Sequence, residues 1–187
     1  MFSLNIVKKM KKKILYSGAI CLLLLSAFTS AYFVGWQVKE DDYAVKFSTK
    51  GASGTLKGLK GTIEFDSLNL ADSKFDVTVD VNTISTGMGL KNRHALAADF
   101  LDAERYPTIR FASHTVTPME NGFVANGNLT IKDVTRKIAI PFAFDGSGDE
   151  GVFRGQFELN RGDYNLEKKR IGEVIAVELV VPVVKQQ

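Results

Sequence analysis

The feature that most constrains this chain is a strict period of two. From Lys74 to Asn82, Phe75, Val77, Val79 and Val81 alternate with Lys74, Asp76, Thr78, Asp80 and Asn82. Successive side chains of a strand point to opposite faces, so this segment has one apolar and one wet face only as a β-strand. The same alternation recurs in Tyr43-Val45-Phe47, Ile63-Phe65, Ile109-Phe111, Phe123-Ala125, Ile138-Ile140-Phe142-Phe144, Phe153-Phe157-Leu159 and Ile175-Val177-Leu179-Val181-Val183, giving eight strand candidates in all. Turn-forming residues separate several of them, at Leu70-Ala71-Asp72-Ser73, Glu120-Asn121-Gly122 and Asp145-Gly146-Ser147-Gly148-Asp149, so consecutive strands are antiparallel neighbours.

One connection is too long for a hairpin. Between Ile84 and Pro107, Leu90, His94, Ala97 and Leu101 recur near helical spacing before Tyr106-Pro107 ends the run, which predicts a short helix over Lys91 to Leu101 lying across one end of the sheet. The expected fold is therefore all-β. Eight antiparallel strands with one apolar face can pack as a two-sheet sandwich or close into a barrel, and closure removes exposed edges. Gly51, Gly54, Gly58 and Gly61 fall along the second strand, where glycine permits the sharp bend of a barrel corner, and they favour the eight-stranded antiparallel β-barrel. A barrel of that size is filled by its side chains or holds one small ligand.

Upstream of the alternation the pattern changes. Lys8, Lys9, Lys11, Lys12 and Lys13 precede the apolar stretch Ile14 to Phe28 and the small residues ending at Thr29-Ser30-Ala31, the layout of an export signal with cleavage after Ala31. Apolar character continues to Trp36, however, and Ile14 to Trp36 reaches the roughly 20 residues needed to span a bilayer, with Trp36 at interface level. Residues 1–36 read as a signal peptide or an uncleaved membrane anchor, residues 37–42 as a linker and residues 43–187 as the barrel domain. In both readings the lysines keep the N-terminal end in the cytoplasm and the domain is exported, to the periplasm or beyond.

The leader also sets the charge. The whole chain carries +3, but removing its five leading lysines leaves 19 basic against 21 acidic residues, or −2. Nucleic acid is a poor partner for such a domain, since phosphate binding needs clustered Lys and Arg. Cys21, the only cysteine, lies in the apolar stretch, so the domain must be stable without a disulfide. A metal site is not expected from His94 and His114 alone, which lack close ligand spacing. There is no Gly-x-Ser-x-Gly elbow, and the glycines of Gly51 to Gly61 match neither phosphate-loop nor dinucleotide spacing, so neither an enzyme nor a cofactor is expected. Asp76, Asp80 and Glu64 alternate with apolar residues as a solvated outer face does. Lys91-Asn92-Arg93-His94 has two readings: a clamp for a polar head group at an opening, or a solvated helix face paired with Asp99 or Asp102.

A set of short motifs then recurs in order: Ile84-Ser85-Thr86, Arg93-His94 with Leu96, Asp99-Phe100-Leu101-Asp102, Tyr106-Pro107-Thr108-Ile109-Arg110-Phe111-Ala112-Ser113, Gly127-Asn128-Leu129-Thr130-Ile131, Val134-Thr135 and Asn160-Arg161-Gly162-Asp163-Tyr164. With them the chain, over about Tyr43 to Val184, resembles the YceI-like polyisoprenoid-binding family of exported, lipocalin-like barrels. Two departures stand out: the first strand lacks the tryptophan and His-Ser pair that often open the family's domain, and Asp133 stands where glycine is usual.

The resemblance implies an internal channel for a long isoprenoid, quinone-like or fatty chain, with the helix near its mouth. Strand parity puts Phe47, Phe65, Val77, Val79, Phe111, Phe142, Phe144 and Phe157 inward, either as channel lining or as ordinary core. For the polar end the candidates are Arg93 and His94, with Asn160 and Arg161 carried over from the family pattern. A long chain is also what energetics favour, because about 0.8 kcal/mol per buried methylene must exceed an association cost of roughly 4 to 15 kcal/mol. The rival from another class is an interaction module tethered by Ile14 to Trp36, whose barrel is a scaffold for an envelope partner or a second copy forming a homodimer.

Overall fold

The computed structural model describes residues 34–40, 43–166 and 171–186. The expected signal or anchor lies almost entirely outside them, and among the described residues no helix is long and apolar enough to cross a membrane. Nine strands are present: β1 (Gly35–Val38), β2 (Ala44–Thr49), β3 (Ala52–Glu64), β4 (Lys74–Ser85), β5 (Thr108–Met119), β6 (Gly122–Ile131), β7 (Val134–Ser147), β8 (Glu150–Asn160) and β9 (Val174–Lys185). Every pairing is antiparallel. From β2 to β9 each strand pairs with the next, and β2 pairs with β9, so eight strands close into the expected barrel.

The ninth strand adds no ninth stave. Trp36 pairs with Ile63 of β3 and with Lys185 of β9, further along the same two strands that flank β2, so β1 and β2 occupy one slot in succession. The domain consequently begins at Gly35 rather than at Tyr43, and the segment taken as a linker includes part of a strand. Trp36 is a core residue, not a membrane-interface one: it is 4% exposed and its Nε1 donates to the backbone oxygen of Phe65 at 2.9 Å. It also supplies a tryptophan on the first strand, which the sequence reading placed too far downstream to include.

Glycine closes the corner between β3 and β4. Gly58 and Gly61 have φ of +71° and +130°, and the ladder shifts register between Thr55 and Lys57 and again between Lys57 and Lys60. These are the bulges that bend a long strand around a small barrel. A Cβ on Gly61 would collide with the Asp76 backbone oxygen, so only glycine allows this approach. At the β6–β7 turn the left-handed residue is Lys132, with φ 56°, so Asp133 departs from the family pattern without needing glycine's freedom.

The long connection contains one helix, α1 (Gly89–Leu96), shorter and earlier than the predicted Lys91 to Leu101. Ala97 turns extended with ψ 156°, and the following turns carry Phe100 and Leu101 back into the barrel, 9% and 6% exposed. No residue of α1 itself is fully buried, and its Ala95 and Leu96 pack only partly against the core. Asn92 ties the helix to the end of β4, its Oδ1 accepting from the Thr86 backbone N and Oγ1 at 2.9 and 2.7 Å.

Candidate ligand cavity

Aromatic side chains concentrate at one end of the barrel. There Phe65, Phe75, Phe123, Phe142, Phe144 and Phe153 pack with Trp36 into an aromatic plug. Phe65 stands 5.0 Å from Phe123, 5.4 Å from both Phe142 and Phe153 and 5.1 Å from Phe144, mostly edge to face. That geometry is the favourable one for aromatic rings. Beyond the plug some inward positions are smaller: Phe75 gives way to Val77 and Val79 on β4, and Phe153 to Gly155 on β8, although Phe111 and Phe157 also face inward there. Eight strands leave room to be filled, and here the side chains do not fill all of it.

What remains is an inner chamber of about 190 Å³ whose lining side chains are all apolar, among them Val77, Val79, Phe111, Phe142 and Phe157. An outer chamber of about 620 Å³ lies beneath α1 and the Phe100-Leu101 return and shares Leu56, Ile109, Leu159 and Val177 in its wall with the inner one. Ligand sites commonly span about 300 to 1,000 Å³, so the inner chamber alone is small and the outer one falls within that range. An apolar chamber of this kind holds water poorly and takes an apolar occupant readily.

The structure separates the candidate lining residues. Val77, Val79, Phe111, Phe142 and Phe157 line the inner chamber, and Phe47 lines the outer one. Phe65 and Phe144 do not line either: both are inward but belong to the plug, Phe65 being 1% exposed. Parity alone cannot tell a plug from a wall. Phe75 and Val177 were legible by the same parity and were not singled out. Leu56 and Leu59 both line the inner chamber although three residues apart, which an unbroken strand forbids and the bulge at Gly58 permits.

The polar candidates divide as well. His94 faces the outer chamber together with Lys91, Thr49 and Thr86. Arg93 is exposed on α1 and does not line it. Asn160 caps the 3-10 turn Arg161–Tyr164, its Oδ1 accepting from the Gly162 backbone N at 2.9 Å. Arg161 reaches the outer chamber, but its Nε donates to the Gly172 backbone oxygen at 3.1 Å and its Nη1 to that of Leu166. Both residues therefore shape the rim. The Lys91 Nζ likewise donates to the Gly51 backbone oxygen at 3.3 Å. Lys91 and Arg161 are thus engaged with backbone carbonyls, which weakens both as partners for a polar head group.

Among the described residues, no three His, Cys, Asp or Glu side chains cluster in a way that could hold a metal.

A family model described as the YceI-like domain matches residues 36–183, starting on the core tryptophan of β1. A UPF0312 protein of Vibrio campbellii is 29% identical over 189 residues, covering 95% of this chain and the whole of that protein. Among solved structures, BcnA of Burkholderia cenocepacia superposes with a TM-score of 0.74 over 78% of this chain and 99% of its own, at 20% identity. A polyisoprenoid binding domain from Saccharophagus degradans superposes with a TM-score of 0.62 over 82% of this chain and 99% of its own, at 13% identity. At those identities the structural likeness shows the fold.

Proposed function

The chain belongs to the YceI-like domain family, and we propose that it is an exported, non-catalytic binder of one long apolar chain, an isoprenoid, isoprenoid quinone or fatty derivative. One observation carries this: an inner chamber with only apolar lining side chains, sharing Val177 in its wall with a wider chamber at the open end. The polyisoprenoid binding domain of the same fold supports the choice of ligand class. Export is supported by the lysine-rich start followed by the apolar run Ile14 to Phe28.

Energetics set what kind of chain is held. At about 0.8 kcal/mol per buried methylene, on the order of ten or more such groups must be inside before burial exceeds the association cost by itself. Short acids and sugars therefore bind poorly here.

The experiment is native mass spectrometry and solvent extraction of the purified full chain, beside a Val177→Trp variant that narrows the passage between the chambers. Wild type is expected to carry or take up a long-chain lipid and the variant to lose it while keeping the barrel's circular dichroism. Empty wild-type protein from several hosts, with no uptake of added isoprenoid, quinone or fatty acid, overturns the reading.

A further inference from the structure

We propose that the open end of the barrel is a docking face for a lipid bilayer, seated by its exposed apolar rim, so that the mouth of the cavity meets the membrane directly. Its use in loading rests on the reading of the cavity as a lipid site, whereas the docking face itself is carried by the rim.

Among the described residues, five large apolar side chains are strongly exposed, and three of them stand at the open end: Met88 at 53%, Leu90 at 55% and Val174 at 48%. They come from different elements. Met88 and Leu90 open α1 and Val174 opens β9, yet hydrogen bonds draw both elements to the β2–β3 turn. Lys91 reaches the Gly51 backbone oxygen at 3.3 Å, and the Thr49 Oγ1 donates to the Val174 backbone oxygen at 2.7 Å. Single exposed apolar residues are ordinary on a protein surface; a group around the mouth of an apolar cavity marks an interaction surface.

Charge is secondary at this end. The exposed cations Lys50, Lys91, Arg93 and Arg105 stand beside these apolar residues, the combination that seats a protein at the headgroup level of a bilayer. The exposed acids Asp99, Glu104, Asp133, Asp163 and Glu173 lie towards this end as well, so the charges are near balance and apolar insertion carries the docking. The plugged end is different. Asp72, Glu120, Asp145, Asp149 and Glu150 are exposed there and, among the described residues, three of them are matched, by Arg154, Lys185 and Lys39, so that end is turned away from an anionic surface. A chain leaving a bilayer through water exposes its methylenes; a mouth seated among the headgroups avoids that exposure.

The test uses the full chain with Cys21→Ser, carrying one environment-sensitive fluorophore on a cysteine introduced by Leu90→Cys at the rim or Leu68→Cys at the opposite end. Vesicles of phosphatidylcholine with phosphatidylglycerol are compared with phosphatidylcholine alone. The rim probe is expected to shift to the blue and to be quenched by headgroup-labelled lipid with either vesicle and with little change at high salt, while the Leu68 probe stays in water. Equal responses at both positions, or none at the rim, overturn the proposal. So does a rim shift without vesicles, which assigns the face to a second copy of the chain. In a second arm, Met88→Ser with Val174→Ser slows uptake of a vesicle-borne lipid several-fold and leaves the amount bound at saturation unchanged. Loss of saturation binding in the wild type would instead defeat the cavity reading while the probe result stood.

Discussion

Two side chains show how single residues hold this barrel. Trp36 sits in the plug against Phe144, with ring centroids 5.0 Å apart, and its indole N–H is satisfied by Phe65. Truncating a buried tryptophan removes its apolar contacts and leaves a cavity, so Trp36→Ala is expected to cost about 3 to 5 kcal/mol in urea unfolding. A neutral result would show that β1 is dispensable. Tyr164 is the opposite case. It is 2% exposed and its hydroxyl has no hydrogen-bond partner among the described residues. Burial first, then the Asp163 carboxylate, pushes its pKa up, against a smaller opposing effect of Arg136. An unfolded tyrosine loses its proton near pH 10. Above that value the unfolded chain releases a proton that the folded chain retains, so stability falls as pH rises, while below it the group is neutral in both states and has no pH effect. Tyr164→Phe removes the unpaired hydroxyl and is expected to raise stability at neutral pH by about 1 kcal/mol and to flatten the decline above pH 10. Unfolding midpoints at both pH values check it, and parallel declines would mean that the phenol is solvated when folded.

At the scale of elements, β3 is where closure is decided. Gly61→Ala places a Cβ against the Asp76 backbone at a φ that alanine rarely adopts, so it is expected to destabilise by more than about 1 kcal/mol. Gly87→Ala, also at positive φ but with open space around it, separates backbone strain from collision: it should cost clearly less. Thermal unfolding of the two variants makes the comparison. The same strand marks how far sequence carries. Alternation in β4 and β9 identifies both strand and inward face, because neither is interrupted. In β3 the glycines announce a bend, but which face Leu56 and Leu59 take depends on where the bulges fall, and that is fixed by pairing with β4, distant in sequence. The helix limits were obscured for a related reason: Phe100 and Leu101 continue a helical spacing, yet they reach the core by turning back after Ala97. The start of the domain was hidden because an apolar strand follows an apolar leader without a break in composition. Polar rim residues were legible as a group, but their hydrogen bonds to backbone carbonyls depend on loop geometry that spacing does not encode.

For the barrel as a whole, the aromatic plug closes one end of an apolar tube, and a closed tube measures length. A chain entering past Val177 advances until it meets Phe75 and Phe153, which line the inner chamber and stand 5.6 Å apart in the plug. Until then every added methylene is buried, at about 0.8 kcal/mol or roughly fourfold in Kd. Beyond it, added methylenes remain near the mouth and contribute less. Affinity across a series of saturated fatty acids is therefore expected to rise steeply with length and then level off. Phe75→Ala deepens the inner chamber at its closed end, and the levelling point should move to longer acids while shorter ones bind no more tightly than before. Competition titrations against a fluorescent fatty acid, with circular dichroism confirming an intact barrel, measure both curves. A series that rises without levelling would mean that the chain lies along the outer chamber instead of reaching the plug. An unchanged levelling point in the variant would mean that Phe153 or Phe142 is the stop, since either ring borders the same chamber.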